Sequence, residues 1–343
     1  MEDGNDMLCM GIDLGTSRSS ISASNGERHV VESYVGWPVD MVARKLVQKP
    51  VLVGREALDN RSMLELRRPL ARGVIKEGSE KDEEAVVELL RHLMSLVGLK
   101  QKGANRPKVR AVVGVPAEAF RVSKQRLRGA MEGLADSIML VSEPFAVAYG
   151  LEALRHAMII DIGAGTTDLC IMQGRYPAEA DQRTVPNAGD SIDEQLATAI
   201  RERHPGAQFS IHMIREWKER SSFIGEPKGR VVIEVPVKGK TTDLDITDEM
   251  RTACESILPP ICETMVDLLV RVEPEYQDKV RDNVILAGGS SLIPGLSEAL
   301  DRALLELGGG RTSVAKDPIF AGSDGGLAIA RDATGEDWER LAV

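Results

Sequence analysis

Aromatic residues make up only 3% of this 343-residue sequence, so its core must be built almost entirely from aliphatic side chains. There are four cysteines, Cys9, Cys170, Cys254 and Cys262, and no two of them form a CxxC pair. That spacing, with Cys9 and Cys170 inside apolar strand-like runs, predicts buried thiols in a reducing compartment rather than disulfides. His92, His156 and His204 stand at no metal-ligand spacing. No apolar run approaches the ~18 residues needed to cross a bilayer, and the N-terminal MEDGNDMLCMGIDLG has no signal-peptide pattern. Positive charge is not in excess either. Forty-three Lys and Arg against 53 Asp and Glu leave a net charge of -10, which excludes a surface that coats nucleic acid. A local basic patch at Arg67, Arg68 and Arg72 remains compatible with that balance. The expected location is the cytoplasm, with no direct membrane insertion.

What is present is a sequence of ordinary globular composition, 43% hydrophobic and 28% charged, long enough for two domains or one two-lobed domain. Residues 7–14, 19–24 and 28–33 read as strands, the last two joined by a tight turn at Asn25-Gly26. Residues 34–65 have mixed character and read as a small insertion. Residues 82–98 space Val86, Leu89, Leu90, Leu93, Met94 and Val97 for one helix face, with Asp82 as the N-cap and Gly98 as the C-cap. A buried strand is expected at 109–115, a basic amphipathic helix near 119–133, and a strand at 138–142. Strands at 157–162 and 167–173 follow, then helices at 190–203 and 210–222 and a hairpin over 229–246. A long helix over 248–273 is expected to kink at Pro259-Pro260. A last buried strand at 283–287 ends in Gly288-Gly289. Strands interspersed with helices in this way define an α/β protein.

One pattern occurs twice. GIDLGTSRSSISAS at 11–24 aligns with IIDIGAGTTDLCIM at 159–172, so Asp13 recurs as Asp161. Each copy is a buried strand, an acidic residue at its end, a glycine-bearing turn and a second strand. A duplicated unit of this kind predicts two lobes with a cleft between them. The turns suit phosphate, because glycine lets backbone N–H groups approach without an intervening Cβ. Gly15, Thr16 and Ser17 supply such groups on one side, and Gly163, Ala164, Gly165 and Thr166 on the other. The hydroxyls of Thr16, Ser17, Thr166 and Thr167 add donors. Two carboxylates beside a triphosphate require a cation between them, and Mg²⁺ supplies it while keeping water ligands. Either turn alone is more simply a structural β-turn. The pair, each after a buried strand and each opening a hairpin, is specific. It is neither a Walker A loop nor a Rossmann fingerprint, since no GKS or GKT occurs and hairpins rather than helices follow the glycines.

These residues resemble the actin/Hsp70/sugar-kinase superfamily. Asp13-Leu14-Gly15-Thr16 is similar to its first phosphate motif, and Asp161 to Asp168 (DIGAGTTD) to its second. LAGGSS at 286–291 with IPGL at 293–296 resembles the adenosine motif. Ser142-Glu143-Pro144 and Gly325-Gly326-Leu327-Ala328 resemble the two connecting segments, and all five occur in family order across nearly the whole chain. Stretches such as VGWPVD (35–40), RRPLARG (67–73), SEPFAVAYG (142–150), ERHP (202–205), WKERSSFIG (217–225) and EPEYQ (273–277) place the resemblance among bacterial actins, closest to those that organise magnetosome chains. Actins of the MreB type are the nearest alternative.

The resemblance implies an actin-like ATPase fold: two duplicated ribonuclease-H-like lobes, each with a smaller inserted subdomain, around a central nucleotide cleft. Lobe I is expected at 1–150 plus 322–343, with its insertion at about 34–65. Lobe II is expected at 151–321, with its insertion at about 186–254. The resemblance also implies ATP or ADP with Mg²⁺ in the cleft. Asp13 and Asp161 would hold the metal through water, and Glu143 would orient or activate the attacking water. Lys218 and Glu219 would meet the base and ribose, Gly189 and Asp190 the ribose, and Gly288, Gly289 and Ser290 the adenosine. Arg18 stands where conventional actin has a lysine near the phosphates. The plainer alternatives, a solvated helix face for Lys218 and Glu219 and a helix-start carboxylate for Glu143, weigh less than these roles, for Glu143 because the two phosphate turns flank it in the fold that the resemblance implies. The expected partners are further copies of the chain in a homopolymeric filament, together with magnetosome-associated proteins. A small-molecule kinase is the other enzyme class on this scaffold, but no substrate pocket with its own general base is apparent.

Overall fold

The computed structural model describes residues 7–72, 74–75, 80–99, 107–116, 126–127 and 129–341. Most of the helix expected near 119–133 lies outside the described residues. Two five-stranded sheets organise the rest. In the first, β1 (Met7–Asp13), β2 (Arg18–Ala23) and β3 (Arg28–Glu32) form an antiparallel meander, and β4 (Lys108–Val115) and β5 (Ser137–Ser142) add on parallel to β1. In the second, β6 (Arg155–Ile162), β7 (Thr167–Gln173) and β8 (Gln182–Val185) form the meander. There β9 (Val284–Ala287) and β10 (Thr312–Val314) are the parallel additions. Read from the meander edge, the orders are β3-β2-β1-β4-β5 and β8-β7-β6-β9-β10. The sequence repeat is thus a repeat of sheet topology.

The central strands are apolar through their middle because both faces of each sheet are covered there; the polar residues Lys108, Arg110, Arg155 and His156 fall toward the strand starts and Asp13 and Asp161 toward the ends. Alternate residues serve different cores. Ala111 and Val113 of β4 join one core with Leu89, Leu90 and Leu93 of helix α1 (Glu80–Leu96), while Val112 between them faces another. Ile160 and Ile162 of β6 join a core with Leu196, Ile200 and Leu300, while Ile159 faces away from it. Val112 and Ile159 meet in a third core, which contains residues of both sheets and of helices α2 (Glu143–Gly150) and α5 (Ala321–Asp332). This middle layer joins the two halves.

Small residues set how closely the two connecting helices cross. A Cβ on Gly325 would lie 1.8 Å from the Ala146 carbonyl oxygen, and one on Gly11 would lie 2.0 Å from that of Ser323. Only glycine permits such backbone contact. The crossing is therefore a tight point at which strand β1 and both connecting helices touch.

Several boundaries differ from the sequence expectation. Helix α1 starts at Glu80, so Asp82 is not its N-cap; it lies buried 3.8 Å from Arg67. The expected long helix is broken into Thr247–Glu255 and Leu258–Leu269, with Pro259 in the first turn of the second. A proline there loses no helical hydrogen bond, so the chain starts a new helix rather than bending one. Met10 is fully buried, but Met7 at the strand end is exposed. All four cysteines are free thiols, as expected, but only Cys170 and Cys254 are buried; Cys9 and Cys262 are partly exposed. The segment expected as an insertion carries a three-stranded sheet of Leu52–Val53, Val35–Pro38 and Leu64–Arg67. No helix among the described residues is long and apolar enough to cross a membrane.

Candidate functional site

Each meander carries an acidic residue at or next to the end of its first strand, beside a glycine-rich turn: Asp13 is the last residue of β1 and Asp161 the last but one of β6. Asp13 pairs with Ser20 across the first hairpin and has Gly114 as its parallel neighbour. Asp161 pairs with Asp168 and has Ala287 as its parallel neighbour. The carboxyl ends of parallel strands are where α/β sheets open into crevices, and here a cavity of about 350 Å3 lies between the two turns. The first half contributes Asp13, Gly15, Thr16, Ser17 and Arg18 to its wall. The second contributes Asp161, Gly163, Ala164, Gly165, Thr166 and Gly189. Gly288, Gly289 and Ser290 line it after β9, Lys218 and Glu219 from helix α4 (Ile211–Ser221), and Glu143 from the first turn of α2.

The carbonyl oxygens of both turns are engaged by the protein. Ser33 Oγ donates to Gly15 O at 2.6 Å and Arg68 Nε to Thr16 O at 2.8 Å. On the other side Ser290 Oγ donates to Gly163 O at 2.9 Å, and Asp190 N to Ala164 O at 2.7 Å. Carbonyls turned into such partners are not presented to an anion. Close packing allows the turns to face each other. A Cβ on Gly165 would lie 2.3 Å from Thr16 Oγ1, across the cleft, and one on Gly288 would lie 2.4 Å from Asp161 Oδ1. Gly288 also has φ +76, a conformation that side-chain-bearing residues rarely adopt.

Carboxylates concentrate at this point. Burial, and then the charge of Asp168, pushes Asp13 up to about 7 from its ordinary 3.8. Burial also raises Asp161 well above the usual range, with Asp13 and Asp168 adding to it. Glu143 is raised by burial first and then by Asp168, Asp13 and Asp161. Among the described residues no cationic side chain opposes these shifts. An enclosed acidic cluster of this kind is a site that a cation would stabilise.

Two expected site residues do not reach the wall. Thr167 is fully buried, and its hydroxyl donates to Asn187 O at 2.8 Å, because it already belongs to strand β7 rather than to the turn. Asp190, in the first turn of helix α3 (Gly189–Arg203), is held by Arg68 at 2.8 Å and Arg215 at 3.2 Å. Lys218 is on the wall, but its ammonium is shared between Gly189 O at 2.6 Å and Asp193 at 2.7 Å. Arg18 and Glu219 form an ion pair of 2.7 Å with each other. Sequence reasoning placed Ile293 in the adenosine motif but missed Arg215 and Ser222 on the wall, and Leu292, Pro318 and Ile319 of its apolar edge. Leu292 lies between the two halves of that motif, Gly288 to Ser291 and Ile293 to Leu296, so it carried a readable signal; Pro318 and Ile319 did not.

The paired meanders, the two acidic turns and the cleft between them define an α/β protein of the actin-like ATPase fold. The sequence pattern of the family described as MreB/Mbl protein matches residues 7–334, and the chain belongs to that family of bacterial actins. It is 38% identical over 334 residues to the actin-like protein MamK of Paramagnetospirillum magneticum, covering 97% of this chain and 95% of that one. It is 39% identical over 335 residues to MamK of Magnetospirillum gryphiswaldense, covering 97% and 92%. Among solved structures, a MamK double helical filament superposes with a TM-score of 0.92 at 38% identity, covering 96% of this chain and all of that one. A non-polymerising MamK mutant bound to AMPPNP superposes with 0.71 at 39% identity, covering 95% and 99%. Identity and coverage are nearly equal in the two cases, so the difference in fit lies in how the chain is arranged rather than in sequence distance.

Proposed function

We propose that the cleft binds Mg-ATP and hydrolyses it, and that hydrolysis is coupled to assembly of the chain into filaments that position magnetosomes. The observation that supports the reading most is the matched pair of acidic turns facing one cavity, with Glu143 enclosed beside them. Catalysis of phosphoryl transfer to water needs little covalent chemistry from a protein; it needs positioning and charge stabilisation. The amides of Gly15, Thr16 and Ser17 and of Ala164 to Thr166 would grip the phosphates from two sides, while the Gly163 amide closes its own turn by donating to Thr166 O at 2.9 Å. Thr167 is not among the groups we assign to phosphate, nor Asp190 to ribose. Gly288 to Ser290 and the Leu292–Ile293 and Pro318–Ile319 edges would take the adenosine. Glu143 would hold the attacking water and accept its proton, a role suited to a carboxyl whose affinity for protons is already raised.

The donor set fits a hard divalent cation, since Asp13 and Asp161 are enclosed oxygen ligands that meet no counter-charge among the described residues. Among the described residues no three acidic, cysteine or histidine side chains form a metal cage. We therefore assign Asp13 and Asp161 a hold through water. When bound, Mg²⁺ supplies neutralisation of the phosphate charge.

Relatives solved as filaments support self-assembly. In this reading assembly fixes the closed arrangement of the halves, and hydrolysis accelerates with protein concentration. Electron microscopy and pelleting of purified protein with Mg-ATP and with Mg-ADP, alongside phosphate release, test it. Filaments with ATP and phosphate release that rises with polymer support the proposal. Phosphate release that depends on an added small-molecule acceptor, without polymer, would point to a kinase instead.

A further inference from the structure

A chain of polar contacts crosses the cleft beside the nucleotide cavity, and neither Arg68 nor Asp190 nor Tyr34, its members outside the helix α4 wall, lines that cavity. It starts at the Thr16 carbonyl oxygen, which accepts from Arg68 Nε at 2.8 Å. Arg68 Nη2 continues to the Asp190 carboxylate of the second half, at 2.8 Å and 3.0 Å from its two oxygens. Asp190 accepts from Arg215 Nη2 at 3.2 Å, and Arg215 Nη1 donates to Tyr34 Oη of the first half at 2.7 Å. Arg215 is held in turn by buried Asp193 at 3.3 Å. The path leaves the first half at Arg68 and returns to it at Tyr34. The side chains are largely shielded, with 21% of Arg68, 25% of Asp190 and 14% of Arg215 exposed, so these are charge-assisted bonds of more than surface strength.

We propose that Arg68, with Asp190, Arg215 and Tyr34, is a clasp that holds the first phosphate turn against the second half and so sets how long nucleotide stays in the cleft. This rests on the nucleotide reading above. Arg68 is a positioning residue: it touches the outer, carbonyl side of Thr16, not the cavity. Three features carry the inference. The contact to Thr16 is to the backbone of the turn itself. The contact to Asp190 lies in the first turn of helix α3, whose Asp190 N donates to Ala164 O, so the second turn is tied into the same chain. The geometry needs a planar fork, because one guanidinium donates along two directions to two elements, which an ammonium cannot reproduce.

The test is release of mant-ADP, chased with excess ADP in stopped flow, from protein held below its assembly concentration. Hydrogen bonds to charged groups contribute ~1.5–3 kcal/mol, so Arg68→Ala should release mant-ADP roughly tenfold or more faster than wild type. Arg68→Lys should fall between the two. Asp190→Asn should also accelerate release. The Arg68→Ala/Asp190→Asn protein should be slower than the product of the two single effects, since both weaken the same contact. Asp190→Asn carries the test on its own if Arg68→Ala fails to fold. Wild-type release rates in Arg68→Ala and Asp190→Asn, or single effects that multiply, overturn the clasp. Failure of the wild-type protein to take up mant-ADP sinks the nucleotide reading itself, which is a separate result.

Discussion

Replacing Gly165 by alanine adds one methyl group where the two halves touch. That Cβ would stand 2.3 Å from Thr16 Oγ1, 2.9 Å from Thr16 Cβ and 2.9 Å from Arg72 Cα. Non-bonded carbons prefer ~3.5 Å or more, so the opposing surfaces must part by roughly 1 Å. Rotating Thr16 relieves only the hydroxyl contact; the Arg72 contact is with backbone. Gly165 does not sit in the left-handed region, so alanine costs nothing there in the open form. The penalty falls on closure alone. Overpacking costs ~1–3 kcal/mol, which corresponds to a roughly 5- to 150-fold loss of nucleotide affinity if the cleft must close to bind. Titration with mant-ATP reads the affinity, and melting of the nucleotide-free protein reads the fold. The expected result is a melting temperature close to wild type without nucleotide and a much smaller rise on adding Mg-ATP. Wild-type affinity in Gly165→Ala would refute the idea that closure across Gly165 and Thr16 accompanies binding.

Three further outcomes follow. Glu143→Ala should bind ATP and assemble while phosphate release in the polymer falls by ~10²- to 10⁴-fold; normal turnover removes Glu143 from the reaction. Gly288→Ala forces a positive φ on alanine and drives its Cβ to 2.4 Å from Asp161 Oδ1 and 2.5 Å from Ile162 O. It should lower unfolding stability by ~1–3 kcal/mol by urea denaturation and weaken ATP binding as well; an unaltered midpoint contradicts the packing described. Asp13 is raised from 3.8 to about 7 in the fold, so the folded protein holds its proton more tightly than the unfolded chain. Its contribution to stability is complete below the unfolded value and is lost as pH rises through about 7. Relative to Asp13→Asn, nucleotide-free wild type should therefore melt progressively lower as pH rises across that window, and Mg-ATP should flatten the trend; a rising difference would reverse the sign of the argument.

Much of the fold was legible because it depends on period and repetition. Continuous apolar runs at β1, β4, β6 and β9 announce strands covered on both faces, and the separate cores served by Val112 and Val113 are the physical reason. The recurrence of Asp13 as Asp161 announced the paired meanders, whose strand orders coincide. Boundaries were less legible where capping competes with packing. Asp82 has the chemistry of an N-cap, yet the helix extends to Glu80 and Asp82 is drawn inward toward Arg67. Pro259-Pro260 signals a disturbance in a helix but cannot say whether the chain bends there or starts again.

Within the site, the backbone groups were legible and the side-chain partners were not. A glycine at a turn declares its purpose through what a Cβ would strike, and Gly15, Gly165 and Gly288 all meet such obstacles. A charged side chain declares nothing until its neighbours are known. Lys218, Asp190 and Arg18 have the reach and charge to touch a nucleotide, but Asp190 is taken up in the network that joins the halves, Lys218 is held by Gly189 O and Asp193, and Arg18 pairs with Glu219. Partner choice of that kind is decided by which elements the fold brings together, here residues 34–68 with helices α3 and α4. The same fact explains why the basic stretch at Arg67 and Arg68 does not read as an anion-binding patch. Arg67 faces Glu65 at 2.7 Å, and Arg68 commits its Nε to Thr16 and its Nη2 to Asp190. Charge placed at the rim of a cleft can act on a ligand without touching it, by fixing the distance between the groups that do.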